Sequence, residues 1–107
     1  SLEMINDLVR GITGWKSSSY EFMRFGERRN HLMRLYNLRE GLSAEDDRLP
    51  ERFHHEPVAK GRLAGAVLDR AAFSEALRAY YRMMGWDDWG VPLWETLLDH
   101  HLEQFAP

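Results

Sequence analysis

The 107-residue chain reads as all-α, about four helices with one long, irregular, charged excursion. Three observations predict this. Apolar residues recur at three- and four-residue intervals in separate stretches, as amphipathic helices require. Residues that cap helix N-termini and glycines that end helices bracket those stretches. From Leu42 to Val67 the periodicity stops, and charges, two prolines and two glycines take its place.

The first helix carries Ile5, Leu8, Val9 and Ile12 on one side and stops at Thr13-Gly14-Trp15. Ser18 with Glu21 three residues on forms a capping box, so a second helix is expected from Tyr20 to Leu38. Its apolar face is assigned to Phe22, Phe25, Leu32, Leu35 and Tyr36, with Glu27, Arg28, Arg34 and Glu40 on the solvated side. Gly26, in mid-helix, marks a position where another backbone comes close. Gly41 closes the helix.

The excursion follows. Ser43 to Asp47 is polar enough for a turn or one helical turn, and Pro50 and Pro57 push Leu49 and Glu56 toward extended backbone. Glu51 to His55 is expected to be extended or irregular, and Lys60-Gly61-Arg62 with Gly65 loop-like. A link of ~20 residues without its own structure is uncommon inside a compact domain, and is usually functional or wrapped on something. Asp69 then caps a helix with the stripe Phe73, Ala76, Leu77, Tyr80 and Met84, which Gly85 stops. Trp86 to Gly90 is a turn between two large rings, and Pro92 fits the first turn of a last helix carrying Leu93, Leu97, Leu98 and Leu102.

Composition narrows the function. Fourteen basic against seventeen acidic residues give a net charge of −3, unlike a nucleic-acid binder. No run approaches the ~20 apolar residues that span a bilayer, and the start, SLEMINDLV, is not a signal peptide. The absence of cysteine excludes disulfides, thiolate catalysis and a Cys-ligated zinc or iron–sulfur site within these residues, and fits a cytoplasmic setting. Residues 1–107 are expected to form a single helical domain, with residues 1–3, ahead of Met4, as added sequence on a piece of a longer chain.

Each candidate chemistry has a plainer competitor. His54-His55 and His100-His101 are neighbours that do not share a helix face; in an extended segment His54 and Glu56 would point the same way and could share a metal. No zinc-ligand spacing is present, so structural or solvated histidines are the better reading. Asp46 and Asp47, near Glu45 and Glu51, could act as acid and base only in a desolvated cleft, so ion pairing with Arg48 and Arg52, or capping of a local turn, is preferred. Arg24, Arg28, Arg29, Arg34 and Arg39 could face phosphate, but Glu21, Glu27 and Glu40 are interleaved with them. Met33, Met83 and Met84 are assigned to core or interface. Three tryptophans from Trp86 to Trp94 are hard to hide in so small a domain, and some are expected to pack on a partner.

Several pieces, in order, carry a family resemblance: Thr13-Gly14-Trp15; Gly26-Glu27-Arg28; Leu35-Tyr36-Asn37-Leu38-Arg39-Glu40-Gly41; Asp46-Asp47 with Leu49-Pro50 and Arg52-Phe53; Glu56-Pro57 with Gly61 and Gly65; Tyr80-Tyr81; and Gly85-Trp86-Asp87 with Gly90 and Pro92. Their order and spacing resemble the C-terminal end of the aldehyde ferredoxin oxidoreductase family, the tungsten-pterin enzymes. Leu93-Trp94 and His100-His101 depart from the family pattern.

The resemblance implies a parent enzyme that oxidises aldehydes to acids. Its tungsten is held by two pterin dithiolenes (molybdopterin type), and electron transfer runs through a 4Fe-4S cluster to ferredoxin. It implies no catalytic, cofactor-binding or metal residue here, and no cofactor bound by this segment alone. Asn37, Arg39, Glu40, Gly41, Asp46, Asp47, Leu49, Pro50 and Arg52 become family-signature residues with structural or interface roles. The partners implied are the upstream domains of the parent and, in the intact enzyme, ferredoxin. No nucleic acid or membrane partner is expected, and uncovered apolar faces point to a homo-oligomer or a sticky monomer. The leading expectation is a C-terminal helical segment inactive by itself. The alternatives are a stand-alone interaction module without catalysis and, last, a small metal-binding protein using the histidines.

Overall fold

Capping residues set the long helices of the computed structural model, which describes all of residues 1–107. Helix α1 (Leu2–Thr13) ends where Gly14 turns left-handed at φ 73° and sends its N–H to the Arg10 carbonyl. Helix α2 (Ser19–Arg39) begins at the expected box: Ser18 Oγ accepts from the Glu21 N–H at 3.2 Å, and Glu21 accepts from the Ser18 N–H at 2.7 Å. A 3-10 turn at Ala44–Asp46 is capped by Ser43. Then come α3 (Arg52–His55), α4 (Arg70–Met83), α5 (Trp94–Asp99) and a second 3-10 turn, Glu103–Phe105. Asp69 caps α4 by accepting from the Ala72 N–H at 2.9 Å. There is no sheet, so the all-α expectation holds.

Several details differ from the sequence reading. Glu51 to His55 is not extended, because the Pro50 and Glu51 carbonyls accept from the Phe53 and His54 N–H groups and start a helical turn. The rest of the excursion folds back on itself: Val58 pairs with Gly65 and Ala66, and the Leu68 N–H returns to the Phe53 carbonyl at 3.0 Å. Pro92 lies ahead of α5, whose N-cap is Leu93, and forms an isolated antiparallel bridge with Trp86. α5 stops at Asp99, so Leu102 reaches the core from the turn after it, with His101 at φ 54°. No part of the chain approaches Gly26; a Cβ there would meet open space.

The molecule is drawn out, measuring 53 × 37 × 21 Å with a radius of gyration of 18.4 Å. A compact domain of this length has a radius of about 13 Å. Its accessible surface is 8530 Å², whereas a compact monomer of this mass exposes roughly 6,200 Å². Only 11 of 107 residues are buried, and the buried apolar ones are Tyr81, Trp86 and a small cluster of Leu35, Leu97 and Leu102 where α2 meets α5. So little buried apolar surface leaves polar contacts to organise the centre.

Candidate functional site

The centre is organised by Arg34. A lone arginine amid Met33 and Leu35 looks solvated in sequence, yet its side chain is 8% exposed. Burial costs a guanidinium much of its hydration, so each N–H needs a partner. Arg34 Nε donates to the Gly90 carbonyl at 2.8 Å, and its two terminal nitrogens donate to Asp47 Oδ1 and Oδ2 at 3.0 and 2.6 Å. Tyr81, from α4, donates its hydroxyl to Asp47 Oδ2. The guanidinium carbon also lies 5.0 Å from the Trp86 ring centre and 5.6 Å from that of Tyr81, within cation–π range. One side chain of α2 thus holds the charged link, α4 and the Trp86–Gly90 turn.

That turn is shaped to reach Arg34. Asp87 Oδ1 accepts from the Trp89 and Val91 N–H groups at 2.9 and 3.0 Å. Gly90 sits at φ 72°, and a Cβ there would fall on the Arg34 guanidinium and 2.9 Å from Tyr81 Cζ. Thr96 ties α5 to the same turn by donating to the Gly85 carbonyl at 2.7 Å.

The electrostatics follow from the contacts. Burial pushes the Asp47 carboxyl up, but the hydrogen bonds from Arg34 and Tyr81 pull it down further, leaving it below the ordinary 3.8. Burial, then the hydrogen bond to Asp47, pushes the Tyr81 phenol up to about 12. Asp47 is therefore a held anion and Tyr81 a held donor. Neither is poised to exchange a proton near neutrality, and the arrangement is that of a clamp.

The signature residues divide around this clamp. Asp47 is its acceptor, and half-buried Asn37 lines the same cleft of about 300 Å³ with Arg29, Leu77 and Trp86. Gly41 turns the chain at φ 97°, and Asp46 accepts from the Ser43 N–H at 2.8 Å. Leu49 is half-buried. Arg39 stays in solvent beside Glu40 at 3.6 Å. Of the two expected roles, turn capping is found at Asp46, whereas pairing with Arg48 or Arg52 is not formed: Asp47 takes Arg34, and Arg52 lies 3.7 Å from Glu56. The one-turn helix after Pro50 aims Arg52 along its own axis toward Glu56 instead of back at Asp47. Glu51 joins α3 to α4 by accepting from both terminal nitrogens of Arg70, which lowers its carboxyl to about 2.

The histidines also rearrange. His54 Nδ1 lies 2.9 Å from the Leu68 carbonyl and His55 Nε2 3.2 Å from Glu51, so α3 removes the expected His54–Glu56 pairing. His31 and His100 are the buried ones, 2% and 5% exposed. Of the tryptophans, Trp86 is buried, whereas Trp89 and Trp94 are 71% and 55% exposed. Sequence reasoning missed Arg34, Tyr81 and His31. Arg34 follows His31 by three positions and directly precedes Leu35, but that pattern becomes a signal only once Leu35 is known to face inward.

Outside the clamp the surface is apolar. Ile5, Leu8 and Ile12 of α1 are 51–75% exposed, as are Trp15, Tyr20 and Phe25. A groove of about 540 Å³ between α1 and α2 is lined by Val9, Trp15, Phe22 and Phe25.

No cysteine is available to ligate an iron–sulfur cluster, and no three His, Asp or Glu side chains converge at metal-binding distance. The donor set does not fit a protein-ligated cluster or metal ion. No helix is long and apolar enough to cross a membrane.

A helical segment clamped by polar contacts, with apolar side chains outward, defines the class to which this chain is assigned. The family model for aldehyde ferredoxin oxidoreductase, domains 2 & 3, matches residues 1–102, and the chain belongs to that family. It is 36% identical over 100 residues to the tungsten-containing aldehyde ferredoxin oxidoreductase of Pyrococcus furiosus, covering 92% of this chain and 16% of that protein. It is 35% identical over 100 residues to the one from Pyrococcus horikoshii, with the same coverage. The match to the one from Thermococcus kodakarensis is 36% over 85 residues, covering 78% of this chain and 14% of the relative. The chain spans about a sixth of the length of these relatives.

Proposed function

We propose that residues 1–107 are one helical unit of a tungsten-dependent aldehyde:ferredoxin oxidoreductase, inactive alone. In the parent, the unit completes the helical domains around the pterin and substrate channel. The parent converts aldehyde to carboxylic acid in the cytoplasm, with a tungsten-bis-pterin centre and a 4Fe-4S cluster held by upstream domains and ferredoxin as electron acceptor. The carrying observation is the inverted distribution of polarity: Arg34, His31 and His100 buried while Ile12, Trp15 and Phe25 face outward. Apolar faces of this extent mark surfaces made to be covered, and the relatives, some six times longer, have the further chain that such covering requires. The signature residues Asn37, Arg39, Glu40, Gly41, Asp46, Asp47, Leu49, Pro50 and Arg52 then have structural or interface roles.

The test is aldehyde-dependent reduction of a viologen dye by this chain after loading with tungsten, iron and pterin. No turnover is expected, and turnover by the isolated chain overturns the reading. Self-association would cover the same faces, so sedimentation is expected to show an oligomer.

A second reading, a helical interaction module without catalysis, draws support from the departures at Leu93-Trp94 and His100-His101. The coding sequence upstream of Ser1 separates the two. A continuous frame encoding a cysteine cluster supports the enzyme segment, and a start codon beside Met4 supports the module.

A further inference from the structure

The His31–His100 pair is the buried titratable cluster that the clamp does not use. The two imidazoles lie 4.6 Å apart, centre to centre, where α2 meets the end of α5. The nearest polar atom to one nitrogen of each ring is a pure donor, although the Glu27 and Asp99 carboxylates lie further out from His100 Nε2, at 3.6 and 3.8 Å. The indole N–H of Trp86 points at His31 Nδ1 at 3.0 Å, and Arg24 Nη1 lies 3.3 Å from His100 Nε2. Indole and guanidinium have no lone pair to offer, so both ring nitrogens must be unprotonated for these bonds to exist. His31 is thereby held as the Nε2–H tautomer and His100 as the Nδ1–H tautomer.

We propose that His31 and His100 form an acid-operated latch: protonation of the pair frees α5 and residues 100–107 from α2. A proton on His31 Nδ1 opposes the Trp86 N–H, a proton on His100 Nε2 opposes Arg24 and is met only by the more distant Glu27 and Asp99, and protonating both rings places two cations 4.6 Å apart. The surrounding charges are mixed. From α2, Arg24 and Arg28 oppose a charged ring and Glu27 favours one; from α5, Asp99 favours one; Arg82 of α4 and Glu95 of α5 line the same cleft. Burial lowers both rings, helped at His31 by His100 and at His100 by Arg24, and outweighs Glu27 and Asp99. Depressed values in the folded state mean that the latch holds above the ordinary 6.5 and weakens as pH falls below it.

What the latch holds is specific. Arg24 also donates to the Asp99 carboxylate and carbonyl at 2.8 and 3.1 Å, and Arg28 donates to the His100 carbonyl at 2.9 Å. These bonds satisfy carbonyls at the α5 C-terminus. Leu97 and Leu102, fully buried against Leu35, lie within the released segment. Asp99 is held below the ordinary carboxylate range by Arg24, so it stays ionised through the window in which the histidines titrate.

The test is side-chain NMR on the 107-residue chain at about pH 7.5 and about pH 5, bracketing ordinary histidine titration. At the higher pH the ring nitrogens should report His31 Nδ1 and His100 Nε2 unprotonated, with methyl contacts from Leu35 to Leu97 and Leu102. At the lower pH those contacts should be lost. His31→Asn with His100→Gln leaves a non-titrating acceptor at each place, and the contacts should then persist at both pH values. The other tautomers, a wild type that keeps its contacts at pH 5, absence of the contacts at pH 7.5, or loss of them in the paired variant over the same range would each overturn the latch. The tautomer reading needs no variant, so misfolding of the substituted chain leaves the proposal open to refutation.

Discussion

Arg34 and Ile12 sit where a hydropathy scale would not put them. Arg34 is 7% exposed, with its hydrogen bonds directed to Asp47 and Gly90. Ile12 is 75% exposed on a helix whose neighbours Ile5 and Leu8 are bare as well. The region around Arg34 is held by geometry: a bidentate guanidinium–carboxylate pair, a phenol and a turn carbonyl converge from four parts of the chain. The α1 face has side chains of the right kind but leaves more than half of each of Ile5, Leu8 and Ile12 uncovered. Internal order and hydrophobic burial have been separated here, and the difference shows that a polar clamp can shape a segment whose apolar surface is committed elsewhere.

The comparison breaks most sharply at Arg34. Arg34→Ala leaves the Gly90 carbonyl without that donor and Asp47 with the Tyr81 hydroxyl alone in a partly dry cleft. Removing one member of a buried pair costs about 3–5 kcal/mol, so a value toward the lower end is expected. Urea unfolding followed by circular dichroism should show that loss; a cost below about 1 kcal/mol would assign the pair to the class of weak surface bridges. Gly90→Ala comes next. Its positive φ and its contact with Arg34 and Tyr81 leave no room for a methyl group, and strain of this kind costs on the order of 1–3 kcal/mol. The smallest effect is expected on the other face. Ile12→Lys should alter stability by no more than about 0.5 kcal/mol, yet weaken capture of this chain by a family enzyme truncated before the matching segment. Equal capture of variant and wild type in a pull-down would detach α1 from the proposed interface.

Much of the helical framework was legible. Ser18-Glu21, Asp69, Gly14 and Gly85 act locally, through hydrogen bonds to backbone within a few residues, so their roles follow from spacing alone. The clamp was legible only in part. Residue types at Asp46 and Asp47 point to ion pairing or turn capping; Asp46 does cap its turn, and Asp47 does pair, but with Arg34 thirteen residues upstream and not with Arg48 or Arg52. The apolar face given to Phe22, Phe25, Leu32, Leu35 and Tyr36 retains only Leu35 in the buried core, because α2 turns Arg24, Arg28 and His31 toward α5. Periodicity identifies an amphipathic helix; it does not say which stripe meets the same chain and which meets another part of a larger protein.

Local chemistry, then, determined the all-α class, the ends of the long helices and the resemblance to aldehyde ferredoxin oxidoreductases, since each depends on residues close together in sequence. Tertiary structure alone decided that Arg34, His31 and His100 are inside and Ile12, Trp15 and Phe25 outside. The physical reason is that burial of a charge depends on its partners arriving together. Asp47, Tyr81 and Gly90 reach Arg34 from separations of 13, 34 (relative to Asp47) and 56 residues, which no local pattern records.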